Sequence, residues 1–345
     1  MRLGLMLGYS GKKIALPIDL IKRAESLGFD SVWTAEAYGS DAVSAASWIL
    51  AKTEKIRVGT AIMQMPARTP ALCAMTAMTL SQLSNGRFIV GLGASGPQVV
   101  EGWHGVPYGK PITRTREYIE IMRKIMLREG PVEYAGEIYH LPYKEAGATG
   151  LGKPLKSILA AEPNIPIYTA QITAKGLACA GEFADGVFPI WMDPEKYPVL
   201  GEHIEAGLNK VPGKSLANFD VAPFVTAIMA DDIEQCRWPV KQHLALYIGG
   251  MGARGKNFYT QYAIDLGYED AAIKIQDLYL AGEKDKAAAA VPNELVDSIA
   301  LLGPKEHIKE RLAIWKKAGA AGHVGSMIVG LMQPELLELL AEEIL

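Results

Sequence analysis

An amphipathic helix, a short polar turn and a compact apolar strand follow one another repeatedly along this chain. That alternation constrains the fold more than any other feature. The first copy opens at Pro17, places Leu20, Ile21, Ala24 and Leu27 on one face and stops at Gly28. It then turns through Phe29-Asp30 into a predicted strand at residues 31–36. Further copies are predicted at 41–52 into 56–63, 69–83 into 88–93, 173–182 into 186–191, and 305–318 into 324–330. Segments 3–8, 165–170 and 221–230 bring the candidate strands to eight. The strands read as continuous apolar runs, as expected when both sheet faces are covered. Helices between them imply parallel strands joined by right-handed crossovers. Eight such units predict an α/β fold, a (β/α)8 TIM barrel; a doubly wound sheet shares the alternation, and strand count alone does not separate the two.

Length then becomes informative. A bare barrel takes ~250 residues, and the chain has 345. The surplus falls after strand 4 (residues 97–113), after helix 4 (130–162) and after strand 7 (249–292), all rich in Gly, Pro and aromatics. No composition shift or linker interrupts the sequence, so residues 1–345 read as a single domain. With 35 Lys+Arg against 38 Asp+Glu the net charge is −3. There is no basic field for a phosphate backbone, which argues against nucleic acid as a partner. Cys73, Cys179 and Cys236 are few, odd in number and set among apolar neighbours, the pattern of buried thiols in a reducing compartment. No apolar run approaches the ~18 residues of a membrane span. The opening MRLGLMLGYSGKK lacks a cleavage site and reads as a first strand. A soluble, cytoplasmic protein with no membrane partner is expected.

Several motifs dissolve on inspection. GLGASG (Gly91–Gly96) matches G-x-G-x-x-G after a strand. However, it falls at the fourth strand, Pro97 follows at once, and no acidic strand end stands ~20 residues on. It reads instead as a glycine-rich strand end that lets a planar ligand approach the backbone. GLNKVPGKS (Gly207–Ser215) has one residue too many for a phosphate loop, and Pro212 removes a donor, so it reads as a helix end and loop. The six histidines are never closer than sixteen residues and no Cys-x-x-Cys occurs, so no metal site is expected. No Ser stands in a G-x-S-x-G elbow.

In a barrel the chemistry sits where strands end and helices begin. Those positions are Tyr9, Glu36-Ala37-Tyr38, Ala61 to Gln64, Ala94-Ser95-Gly96, Gln171-Ile172-Thr173 and Trp191. They are mostly apolar or aromatic, which suits a flat aromatic cofactor better than a sugar or phosphoryl substrate. Glu36 is the only carboxylate closing an early strand; a rim salt bridge and a catalytic role are both open. Gln171-Ile172-Thr173 opens a helix whose free amides can hold a phosphate, with simple N-capping by Thr173 the alternative.

These segments resemble the luciferase-like flavin and deazaflavin oxidoreductases, and within them the branch using coenzyme F420. The likeness is carried by AESLGFDSVWTAEAYGSD (Ala24–Asp41), by RVGTAIMQMPARTPALCAMTAMTLSQLSNGRFIVGLGASGPQVVEGW (Arg57–Trp103), by RTREYIEIMRKIM with VEYAGEIYHLP, and by YIGGMGARGKNFY (Tyr247–Tyr259). The resemblance implies a (β/α)8 barrel, an inserted region matching 130–162, a homodimer, and a non-prolyl cis peptide at Ala61–Ile62 beneath the deazaflavin ring. It implies ring and side-chain contacts from Gln64, Ala94, Ser95 and Gly96, and a phosphate site at Gln171, Ile172 and Thr173. Two departures stand out. Glu36-Ala37 replaces the Asp-His of F420 alcohol and sugar-phosphate dehydrogenases, and Gly96 replaces their Glu. The imidazole that takes a hydroxyl proton is therefore missing.

The expected reaction is hydride transfer between reduced F420 and a polarised double bond (enone, imine or carbonyl) of an apolar small molecule. Glu36 is the expected proton donor, its carboxyl held neutral by an apolar rim. Tyr9, Trp103, His104 and Trp191 are the expected substrate walls. Two rivals accompany this expectation: an FMN-dependent monooxygenase on the same scaffold, and a non-catalytic F420- or flavin-binding protein.

Overall fold

The computed structural model describes residues 1–8, 12–330 and 333–345. Its strands are β1 (Arg2–Gly8), β2 (Ser31–Thr34), β3 (Arg57–Thr60), β4 (Phe88–Gly93), β5 (Ile167–Ala170), β6 (Gly186–Phe188), β7 (Phe224–Met229), β8 (Ala300–Gly303) and β9 (Ser326–Gly330). The helices between them are α1 (Ile18–Leu27), α2 (Ala42–Leu50), α3 (Pro70–Leu83), α4 (Pro97–Gly102), α5 (Pro111–Leu127), α6 (Ala174–Phe183), α7 (Pro198–Leu208) and α8 (Ile233–Gly250). Then come α9 (Phe258–Asp265), α10 (Glu269–Leu280), α11 (Lys284–Ala289), α12 (Asn293–Ile299), α13 (Lys305–Ala320) and α14 (Pro334–Ile344).

Local chemistry sets the helix boundaries. The side chains of Asp41, Thr69 and Thr173 accept from the amides of Ser44, Leu72 and Gly176, capping α2, α3 and α6. Gly28 ends α1 at φ +92°, a conformation a side chain would resist.

Pairing is parallel throughout the main sheet, in the order β6–β5–β4–β3–β2–β1–β9–β7. Asp220 and Val221, just ahead of β7, pair with Gly186 and Val187 of β6. Phe224 and Val225 pair with Ile328 and Val329 of β9. Residues 220–229 therefore bridge the two ends of the sheet, which curls in a TIM-barrel-like way; a doubly wound sheet would leave two open edges.

Most strands are shorter than their sequence outlines, among them the second (Ser31–Thr34), the fifth (Ile167–Ala170) and the last (Ser326–Gly330), and three interruptions stand out. The third stops at Thr60, and the Ala61–Ile62 peptide that follows is cis. Pairing resumes at Met63–Gln64, now against β4. The sixth stops at Phe188, where Pro189 has no amide to donate. The seventh breaks at Ala222-Pro223 for the same reason. The unforeseen β8 pairs with β7 through Thr226↔Ala300 and lies outside the curl.

The bottom of the curl is filled by aromatic rings. Trp33 lies 5.6 Å from Tyr168 and 5.1 Å from Phe188, and Phe188 stacks on Phe224 at 5.2 Å. Gly59 admits this plug, since a Cβ there would sit 2.2 Å from the Trp33 ring. The three surplus stretches lie outside the sheet. Residues 97–113 hold α4, residues 249–292 hold α9 to α11, and residues 130–162 hold an antiparallel pair, Tyr134–Ala135 with His140–Leu141. Among the described residues no helix is long and apolar enough to cross a membrane. Cys73, Cys179 and Cys236 are free and buried.

Candidate functional site at the strand ends

Past the aromatic plug the strand ends carry small residues: Gly8, Ala61, Gly93, Ala94, Ala170 and Gly330. The glycine-rich end of β4 has a packing explanation. A Cβ on Gly91 would stand 1.7 Å from the Thr60 carbonyl oxygen, and one on Gly93 would stand 2.6 Å from the Ile62 side chain. Two of the three motif glycines are thus required by the protein's own atoms, not by a ligand. Ser95 follows at φ +62°, and Gly96 caps α4 in extended backbone.

Glu36, at the end of β2, has its carboxylate filled. One oxygen accepts from the Gln64 amide at 2.8 Å and from Arg68 at 2.5 Å; the other accepts from the Ala42 amide and from Arg68, both at 3.1 Å. The pair is nearly buried, with side chains 7% and 13% exposed. Arg68 also reaches Asp41 at 3.1 Å. Burial opposes the guanidinium's charge, but Glu36 more than offsets it and raises the Arg68 pKa. Burial likewise opposes ionisation of Asp41, and the Ser44 amide with Arg68 overcomes it, lowering that pKa. This carboxylate anchors two loops. The proton donor expected of Glu36 does not fit an environment of four donors, and the salt-bridge alternative is the one observed.

Gln64 is 1% exposed; its side-chain amide donates to the Ala37 carbonyl at 2.6 Å. Its Oε1 is buried with no partner among the described residues. Gln171 and Ile172 stand half-buried ahead of α6, and Thr173 caps it. A Cβ on Gly176 would lie 2.3 Å from Gln171 Oε1, so this turn packs closely on its helix.

The expected substrate walls fare unequally. Trp191 (φ +48°) joins an aromatic cluster with Tyr259 at 5.4 Å, Tyr247 at 5.8 Å and His243 at 6.2 Å. Tyr262 donates to its carbonyl at 3.2 Å. His104 is half-buried, its Nε2 without a partner among the described residues. Trp103 is 67% exposed and makes no ring contact there, so it is not brought to this wall. Tyr9 lies outside the described residues.

Several site residues escaped sequence reasoning. Arg68 follows a three-residue 3-10 turn, and its role depends on a carboxylate 32 positions away. His243 and Tyr247 sit one turn apart on α8, with rings 4.6 Å apart. His243 reaches solvent, yet crowding by neighbours desolvates it and lowers its pKa. Burial, then the phenols of Tyr247 and Tyr108, push Tyr259 up to about 12. Tyr108 comes from stretch 97–113 and Tyr259 from stretch 249–292, so the two converge beside the end of β6. Thr226 is exposed although its backbone pairs on both sides, with Gly330 and Ala300. Thr226 lies one alternation above Phe224, on the same face of the strand, and its side chain is left open there. A spacing signal, i and i+4 aromatics on a helix after a barrel strand, points to His243 and Tyr247; nothing singles out Thr226. Among the described residues no group of His, Cys, Asp or Glu can hold a metal.

This chain belongs to the luciferase-like monooxygenase family, whose pattern it matches over residues 1–322. It is 42% identical over 323 residues to a protein of Mycobacterium tuberculosis whose provisional name is coenzyme F420-dependent oxidoreductase, covering 92% of this chain and 93% of that one. It is 30% identical over 329 residues to the 5,10-methylenetetrahydromethanopterin reductase of Archaeoglobus fulgidus, covering 94% and 93% of the two chains. Its fold is similar to that of the coenzyme F420-dependent tetrahydromethanopterin reductase of Methanopyrus kandleri, with TM-score 0.77 at 23% identity over 99% and 97% of the chains. The protein is an oxidoreductase by this kinship.

Proposed function

We propose that this oxidoreductase uses coenzyme F420 and moves hydride between the reduced cofactor and a polarised double bond of an apolar small molecule. The relatives' names support the cofactor. The carrying observation is the mouth itself: small residues over an aromatic floor, with the buried Oε1 of Gln64 lacking a partner. A buried acceptor left open is costly, and a ring N–H of a flat cofactor would satisfy it. The residues therefore fit the group. Ala61, Ile62, Gln64 and Ala94 would hold the ring, Ser95 and Gly96 its side chain, and Gln171, Ile172 and Thr173 the phosphate at the start of α6.

When bound, the deazaflavin supplies the hydride. The chain's own part is to orient and to exclude water. Glu36 and Arg68 fix the β2 and β3 loops so that Gln64 is held rigidly. Trp191, Tyr247 and Tyr259 form an apolar wall that disfavours charged substrates. Thr226 and His243 are the polar groups that the open mouth offers a substrate's carbonyl or imine. Purified protein titrated with F420 and with FMN tests the reading. Micromolar or tighter binding of F420 is expected; tight FMN binding without F420 would overturn it in favour of a flavin monooxygenase. Bound reduced F420 that no enone, imine or carbonyl compound oxidises would instead favour a carrier.

A further inference from the structure

Tyr247 and Tyr259 stand at the two ends of the motif YIGGMGARGKNFY, twelve residues apart in sequence. Their rings meet edge to face, 4.8 Å apart at 82°, and both rest on Trp191, which is 6% exposed. One side chain joins them. Asn257 is 5% exposed. Its Nδ2 donates to the carbonyls of Tyr247 and Ile248, both at 2.9 Å, and its Oδ1 accepts from the Tyr259 amide at 2.9 Å. The carbonyls lie in the last turn of α8 and the amide in the first turn of α9, groups that a helix end leaves without an intrahelical partner. A single side-chain amide thus closes one helix and opens the next, through the backbones of the two residues whose rings form the wall. It cannot be turned round, since carbonyls only accept and the Tyr259 N–H only donates. The packing around it serves the same junction. Thr260 donates to the Ile248 carbonyl at 2.6 Å, and Gln276 of α10 donates to the Thr260 hydroxyl at 3.2 Å. A Cβ on Gly252 would lie 2.9 Å from the Asn257 Cα, and one on Gly249 would lie 2.3 Å from the Tyr279 side chain of α10. These glycines let residues 251–256 fold back on Asn257 and let α10 press on the end of α8.

We propose that Asn257 is a positioning residue: it holds Tyr247 and Tyr259 against Trp191 and so fixes the wall on which an apolar substrate lies. This role rests on the functional reading, in which the wall faces the substrate, and deepens it. Asn257 is buried and acts only through the two rings. Without its grip on α8, each ring would follow its own helix and the wall would part between them. An acidic residue in its place could still cap α9 but could not hold α8.

The test separates this clamp from a plain helix cap. Asn257→Asp keeps an acceptor for the Tyr259 amide and loses both bonds to α8. Acrylamide quenching of Trp191, taken as the difference that Trp191→Phe makes in each background, reads the wall without cofactor or substrate. It should rise at least about twofold in Asn257→Asp as the rings part. It should not rise in Asp220→Asn, a destabilising change ahead of β7 at the other end of the sheet. With reduced F420 and cyclohex-2-enone, KM should rise about three- to tenfold, the scale of one aromatic contact, with kcat nearly kept. A merely structural loss would lower the active fraction, hence kcat, and leave KM alone. Asn257→Ser, a capping residue too short to reach both carbonyls, should show the same two shifts and serves where Asn257→Asp fails to fold. Unchanged quenching in both variants overturns the clamp; raised quenching with an unchanged KM overturns its role toward the substrate. Absence of turnover in the unaltered protein overturns the functional reading, and the quenching contrast alone then decides the clamp.

Discussion

Glu36 shows how a residue's neighbours decide its chemistry. As the one carboxylate closing an early strand it is visible in sequence, and an apolar rim makes it look like an acid. Folding instead brings Arg68 onto it, and an ion pair between two loops cannot be foreseen until the loops are placed. Replacing Arg68 by Met should leave a carboxylate uncompensated and cost about 3–5 kcal/mol, read by denaturant unfolding. A loss under about 1 kcal/mol would mean the pair is solvated and expendable. The glycines of β4 were equally visible and equally ambiguous. Their environments differ in one respect: Gly91 faces backbone, the Thr60 carbonyl, whereas Gly93 faces a side chain, Ile62. Gly91→Ala should therefore fail to fold stably whatever else is changed. Gly93→Ala should be rescued by Ile62→Ala, which removes the obstructing atoms. Thermal melts of the two single variants and the double variant check this; a rescue of Gly91→Ala by the same change would refute the packing account.

At the scale of elements, the helix–strand alternation was legible because periodicity and caps are local. Thr69, Thr173, Asp41 and Gly28 sit at the boundaries they announce. What local pattern could not give was the attachment of residues 130–162. Glu117, in the middle of α5 and fully buried, accepts from the amides of Glu137, Ile138 and Tyr139 at 2.7, 2.9 and 3.1 Å. Gly136 makes room, since a Cβ there would lie 2.3 Å from the carboxylate. Sequence offers only a glutamate on a helix face. Burial alone would raise its pKa, but the three amides outweigh burial and lower it. A depressed folded pKa means that the unfolded chain takes up a proton first as pH falls. The stabilisation is therefore complete above the usual carboxylate range and drains away as pH drops below about 4.5. Glu117→Gln should lower stability at pH 7 by about 2 kcal/mol, since at least one amide loses its acceptor and faces the new NH2 group. Its melting temperature should then fall less steeply than the unaltered protein's between pH 5 and 3. Parallel slopes would show that Glu117 plays no part in the acid response.

For the whole molecule the decisive event is the meeting of the sheet's two ends. Eight apolar strands announce a curled or open sheet without choosing, because closure depends on long-range register. The structure places one carboxylate at the seam. Asp220, 7% exposed just ahead of β7, accepts through a single oxygen from Arg2 of β1 at 2.6 Å, Tyr168 of β5 at 2.7 Å and Ser326 of β9 at 2.7 Å. Elements more than two hundred residues apart thus converge on one atom, and Gly325 must lack a side chain to let it in, since a Cβ would stand 2.2 Å from the other oxygen. This seam lies at the end of the curl opposite the mouth, so it can be tested without touching the site. Asp220→Ala leaves a buried hydroxyl pair without an acceptor and should cost about 3 kcal/mol in guanidinium unfolding. Asp220→Asn keeps an acceptor oxygen and should cost about half as much. Cofactor affinity at a temperature where both variants are folded should not change. If either variant altered the affinity more than its stability, the two ends of the curl would be coupled, and the seam would belong to the function as well as to the fold.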